Sequence, residues 1–160
     1  MFHSFIDTII FFAALGSGLM AGMFFSFSSF IMAALSQISP KNGISAMQSI
    51  NLTVLNPLFF SIFFGTAGIS GYLLITNLSP LNWSQNRYLM IASLLYLLGT
   101  FSVTVIFNVP LNNKLANISA ETPEAEDFWK EYLKRWTFWN HFRALTSLGA
   151  MASYILSLIN

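Results

Sequence analysis

Eight residues of this 160-residue chain could do chemistry in places where a membrane-bound sequence usually has none. They are Gln48, Asn51, Asn56, Asn108, Asn112, Asn140, His141 and Arg143, each beside or inside a strongly apolar stretch. Asn108 and Asn112 are four apart and share a helix face if the helix survives Pro110. Trp136, Asn140, Arg143 and Ser147 fall at i, i+4, i+7 and i+11, one continuous helical stripe. His141 points about 100° away from Asn140, so spacing alone does not place it on the same interior.

Amide groups, one guanidinium and one imidazole among aromatic walls suit a flat, apolar ligand carrying phenol, enol or quinone oxygens. Arg143 and the amides would hold an enolate or phenolate, and His141 could take its proton. Taken singly, each group has a plainer role. An asparagine is more often helix–helix glue or a cap, an arginine at this depth can snorkel to lipid phosphate, and a lone histidine is usually a structural hydrogen bonder. The reading of a pocket rests on their convergence, because three separate segments bring these groups to one end of the protein.

What is missing narrows the chemistry further. There is no cysteine, and the only histidines are His3 and His141, so neither thiol catalysis nor a protein-built metal site is expected, and no cofactor. No Ser-His-Asp set, glycine-rich phosphate loop or dinucleotide fingerprint occurs. Asp7 is the only carboxylate within the apolar stretches, which speaks against proton or cation transport. A net charge of +1 gives no hint of nucleic-acid binding.

The elements that must position these residues are membrane helices. The chain is 55% hydrophobic and 8% charged, against roughly a quarter charged in an ordinary soluble domain. Ten of its thirteen charged residues lie between Lys114 and Arg143. The remainder divides into uncharged stretches long enough for spans at about 5–35, 57–76, 88–108 and 137–158. The expected fold is therefore all-α: an integral membrane four-helix bundle of antiparallel hairpins, in one transmembrane domain covering 1–160. "SPKNG" from Ser39 to Gly43 reads as a turn. After it, Ile44, Met47, Ile50 and Val54 share a face, predicting a short interfacial helix. Pro57 opens the second span, Trp83 suits a membrane interface, and Pro110 kinks or ends the third. Thr122-Pro123 starts one long helix whose first third, rich in Glu and Lys, projects into the cytoplasm.

Loop charges give the orientation. Lys41, Lys114, Lys130, Lys134 and Arg135 fall in loops 36–56 and 109–136, whereas the other side holds Arg87 alone. The positive-inside rule makes those two loops cytoplasmic and both termini external, as in a bacterial inner membrane. Gly18 and Gly22, with Ala14 and Ser26, form a small-residue stripe, and "GTAGISG" from Gly65 to Gly71 repeats it. Such faces serve helix packing and could also support an oligomer.

Several segments resemble a known family. "AGMFFSFS", "GISAMQSIN", "NPLFF" followed by "FFGTA", "FNVPLNNKLA" and "WKEYLKRWTFWNHFRALTS" are similar to signature segments of the anthrone-oxygenase-like small membrane proteins, over about Ala13 to Ala152. The resemblance implies four spans. It also implies that some fungal relatives oxidise a polyketide anthrone to an anthraquinone with molecular oxygen and no cofactor. The positions matching its motifs are Gln48, Asn51, Asn56, Asn108, Asn112, Trp136, Asn140, His141 and Arg143.

Two readings follow. In the first, a cofactor-independent oxygenase binds a hydrophobic aromatic or quinone-like molecule in a cytoplasm-facing polar pocket. There His141 and Arg143 are catalytic, and Gln48, Asn51, Asn56, Asn108, Asn112, Trp136 and Asn140 bind substrate. In the second, a non-enzymatic protein binds a lipid or quinone, or acts as a scaffold through the 121–135 helix. Expected partners are membrane lipids and a hydrophobic small molecule, not nucleic acid.

Overall fold

The computed structural model describes residues 4–78 and 83–159. His3, residues 79–82 and the side chain of Trp83 lie outside the described residues. Helix α1 (Phe5–Ser36) begins with a reciprocal cap, in which the Asp7 amide donates to Ser4 Oγ (3.2 Å) and the Ser4 amide donates to Asp7 Oδ2 (3.1 Å). One π turn, Phe27–Ile31, interrupts its α geometry.

The segment read as a turn after α1 is instead the first turn of α2 (Pro40–Thr53). Ser39 caps it by accepting from the Asn42 amide, and Pro40 sits where its missing N–H costs nothing. Helix α3 (Pro57–Thr76) has the same start, with Asn56 Oδ1 accepting from the Phe59 amide at 3.0 Å ahead of Pro57.

Helix α4 runs from Trp83–Leu94 through two π segments, Leu95–Ser102 and Thr104–Asn108, into Val109–Ala116. Pro110 therefore does not end the helix. A proline ring collides with the carbonyl four residues before it in α geometry, and the wider π segment directly upstream makes room. Helix α5 (Pro123–Ile159) is unbroken over 37 residues, about 55 Å, and Thr122 Oγ1 accepts from the Ala125 amide at its start.

Helices α1, α3, α4 and α5 are each long and apolar enough to cross a bilayer, so the chain is a membrane protein. Their side chains meet in one core that includes Ala13, Ala14, Phe24, Phe63, Leu73, Tyr96, Ala150 and Tyr154. Glycines permit the closest approaches. A Cβ on Gly16 would strike Thr66, and one on Gly99 would strike Thr146. The predicted stripe differs, because Gly22, Gly65, Gly68 and Gly71 meet nothing within 4 Å, while Gly18 abuts the Met151 side chain.

A second core lies beyond the first. It gathers Met32 and Leu35 of α1, Ile44 and Met47 of α2, Leu111 and Leu115 of α4, and Phe128, Trp129, Tyr132 and Trp136 of α5. The first third of α5 is thus not free-standing. Ala125, Phe128, Trp129 and Tyr132 are buried, and only the opposite face, with Glu124, Asp127, Lys130 and Lys134, is exposed. Gly43 lets α2 pack this tightly, since a Cβ there would lie 2.9 Å from the Trp129 ring.

Candidate functional site

Between the two cores is a cavity of about 330 Å³. Phe24 and Phe27 of α1, Met47, Gln48 and Asn51 of α2, Phe59 of α3, Thr104 and Asn112 of α4, and Trp136 and Arg143 of α5 all line it. Leu52, Leu55, Val109, Asn113 and Ala116 are its exposed members and form the rim. The walls are therefore mostly apolar, with a few polar groups, the usual make-up of a small-molecule site.

Arg143 is the chemical centre. It is only 4% exposed, deep among apolar side chains. Its guanidinium lies 4.2 Å from the Phe24 ring centroid and 5.1 Å from that of Trp136. Nη2 donates to Asn140 Oδ1 at 2.8 Å and Nη1 to Thr104 Oγ1 at 3.3 Å, while Nε is buried without a partner. No carboxylate among the described residues forms an ion pair with it.

Asn140 fixes this arginine from below. Its Nδ2 donates to the Phe24 carbonyl and to Ser28 Oγ, both at 2.7 Å, which leaves Oδ1 for the guanidinium. The α1 π turn begins three residues past Phe24, and such turns shift the backbone ladder where side chains need carbonyls. Asn140 itself is fully buried and does not line the cavity.

The helix that continues through Pro110 puts Asn108 and Asn112 on one face, both against Trp136. Asn108 Nδ2 donates to the Trp136 carbonyl (3.2 Å), and its Oδ1 is buried without a partner. Asn112 Oδ1 accepts from Trp136 Nε1 (2.7 Å) and from the Tyr132 hydroxyl (2.8 Å). On α2, Asn51 Nδ2 donates to the Tyr132 hydroxyl at 3.4 Å. Gln48 Nε2 donates to the carbonyls of Leu115 (2.9 Å) and Ile118 (3.0 Å), closing the end of α4.

Of the predicted site residues, Asn108 and Asn140 are buried without lining the cavity, and two more lie apart from it. Asn56 caps α3, with its Nδ2 donating to the Thr53 carbonyl (3.1 Å), and it does not line the cavity. His141 lies on the outer surface of α5, in a shallow recess with Lys134, Arg135 and Trp139. One residue around the helix from Asn140 was enough to turn it outward.

Tyr132, Thr104 and Phe24 belong to the site although the spacing argument passed over them. Tyr132 had a signal, since it extends the Trp136–Asn140 stripe one turn earlier. Thr104 and Phe24 had none, because their roles depend on how α1 and α4 lie against α5.

No curated protein and no solved structure matches the chain. A family model described as anthrone oxygenase matches residues 53–153, well over half of the sequence. The match holds α3, α4 and most of α5, with Asn108, Asn112, Trp136, Asn140 and Arg143, and leaves Gln48 and Asn51 of α2 outside. On that match the chain belongs to the anthrone oxygenase family.

Proposed function

We propose that the protein is an oxygenase of the membrane interior that binds an anthrone-type or quinone-like aromatic in the cavity and holds its anion against Arg143. One observation carries this reading. Arg143 is buried and lines the cavity, yet has neither a carboxylate partner among the described residues nor a partner for Nε. A buried charge without compensation is costly, and an anionic ligand would offset that cost. The apolar walls would hold the rings, and the cavity volume falls within the range of small-molecule sites.

The chemistry asked of the protein is modest. An anthrone loses a proton from its ring methylene to give an enolate whose negative oxygen would face the guanidinium. The methylene carbon of that anion is electron-rich and forms a C–O bond with molecular oxygen. The resulting hydroperoxide eliminates water to leave a carbonyl, so that CH2 and O2 become C=O and H2O. Arg143 contributes by stabilising the anion in a dry site. Neither carboxylate nor imidazole lines the cavity among the described residues, so the proton leaves to water at the rim and His141 has no part in it.

The same reading makes the four apolar helices an antiparallel bundle in a bacterial inner membrane. Lys41, Lys114 and the charged start of α5 are then cytoplasmic, both termini are outside, and the cavity faces the cytoplasmic leaflet. The test is oxygen uptake and anthraquinone absorbance with purified protein in nanodiscs supplied with anthrone. Turnover that disappears in Arg143→Met is expected. No turnover by wild type contradicts the oxygenase. Ligand binding without turnover would favour the alternative, a non-enzymatic quinone- or lipid-binding protein.

A further inference from the structure

The carboxamide of Asn112 has a fixed direction. Its Oδ1 receives the indole N–H of Trp136 at 2.7 Å and the hydroxyl of Tyr132 at 2.8 Å. An indole nitrogen can only donate, so the oxygen, not the nitrogen, must face Trp136. Tyr132 is held to the same role, because it accepts from Asn51 Nδ2 and therefore spends its own proton on Asn112. Two donors thus converge on one amide oxygen. The Asn112 NH2 group has no protein acceptor among the described residues, is not enclosed, and belongs to a residue of the cavity wall.

The same indole links this amide to the arginine. Trp136 gives its N–H to Asn112 and lies against the Arg143 guanidinium. The two polar groups therefore meet the same indole, the amide at its N–H edge and the guanidinium over its face. We infer that Trp136 and Tyr132 are positioning residues that lock the Asn112 amide as a hydrogen-bond donor to the cavity, so that the ligand presents a second, carbonyl-type oxygen there. This rests on the reading of the cavity as a ligand site and defines its substrate class more narrowly. The ligand that satisfies both groups is a rigid aromatic with two oxygens, an acidic or enolic one for Arg143 and an accepting one for Asn112, whereas plain anthrone, with one oxygen, uses Arg143 alone.

Two probes test it, anthraquinone, whose oxygens only accept, and anthracene, which has none. Each is titrated by quenching of tryptophan fluorescence with the full chain in nanodiscs. Asn112→Asp keeps an oxygen for Trp136 and Tyr132 but replaces the donor with an acceptor. Anthraquinone affinity should fall about tenfold, the worth of one lost hydrogen bond plus a mismatched acceptor, while anthracene affinity stays within about twofold. Tyr132→Phe frees the amide more gently and should weaken anthraquinone by about threefold, again sparing anthracene. Equal losses for both probes would mean a merely structural role, and unchanged anthraquinone binding would remove the donor; either overturns the inference. Anthraquinone has no acidic proton, so failed turnover in the oxygenase assay leaves this test intact. Binding of neither probe to wild type overturns both readings.

Discussion

The two ends of the helix assembly treat polar groups in opposite ways. In the apolar core, hydroxyls are almost all spent on one another or on backbone carbonyls. Tyr154 donates to Ser70 (2.8 Å) and pairs with Ser93 (3.2 Å), Thr100 pairs with Ser147 (2.8 Å), and the Tyr96 hydroxyl donates to the Phe63 carbonyl (3.1 Å). Ser17 is the exception there, with a buried hydroxyl and no partner. Around the cavity the groups are stronger and are left incomplete. Arg143 Nε, Asn108 Oδ1 and the Asn112 NH2 group all have capacity that no described residue uses. Neutral hydroxyls in pairs hold helices together, whereas a buried cation and unsatisfied amides cost stability unless something else binds them. The contrast separates an end whose polar groups are satisfied from one whose polar groups are left open, as the proposed ligand site requires.

The largest effect that contrast predicts is at Arg143. Arg143→Met should lower the affinity for an anthrone anion about 100-fold or more, measured by titration, because the charge partner is lost. Thermal stability of the empty protein should hold or rise, since an uncompensated buried charge has been removed. A variant that simply unfolds would make Arg143 a structural residue like those of the core.

Asn140→Leu comes next. It removes the amide's bonds to the Phe24 carbonyl and the Ser28 hydroxyl, leaves one guanidinium nitrogen without a partner and should cost about 2–3 kcal/mol of stability, seen as a lowered Tm, along with weaker ligand binding. In the core the comparison is between glycines. Gly99→Leu should destabilise by about 1–3 kcal/mol because its Cβ meets Thr146, whereas Gly68→Ala, facing open space, should stay within about 0.5 kcal/mol.

The smallest effects belong to the surface. His141→Ala should leave turnover within about twofold, because the side chain faces away from the cavity. A larger loss would restore the imidazole to the mechanism. Lys41 pairs with Glu121 across the exposed end and holds its carboxyl below the ordinary value by hydrogen bonding and charge. A depressed folded pKa means the contact helps above the unfolded pKa and is lost as pH falls through the folded one. Both groups are solvated, so Glu121→Gln should leave Tm unchanged at neutral pH, with acid removing nothing further from the variant.

Much of this was legible from residue types and spacing. Charge-free stretches marked four helices, and the Trp136–Asn140–Arg143 stripe marked the face of α5 that puts Trp136 and Arg143 in the cavity wall and Asn140 behind Arg143. Asn108 and Asn112 were readable as a pair only on condition that α4 passed Pro110. Nothing in a linear pattern announces the π segment that lets it pass, because π geometry is decided by tertiary strain. Single-residue facing was beyond reach too. His141 and Asn140 are neighbours in sequence, and only the packing of α5 against α1 turns one inward and the other out. Asn56 had the type of a pocket residue and the position of a cap, and the following Pro57 was the better guide. The buried inner face of the early α5 helix was hidden by its charges, which all lie on the other side.

The most direct test of the ligand site is anaerobic, so that nothing is oxidised. Anthrone is added to wild-type protein in nanodiscs at a pH below its ionisation in water, and the visible absorbance of its anion is recorded. If the Arg143 guanidinium holds an enolate in the cavity, the anion band appears in stoichiometric amount with wild type and is absent with Arg143→Met. An absent band with wild type, or equal bands for both proteins, would contradict it.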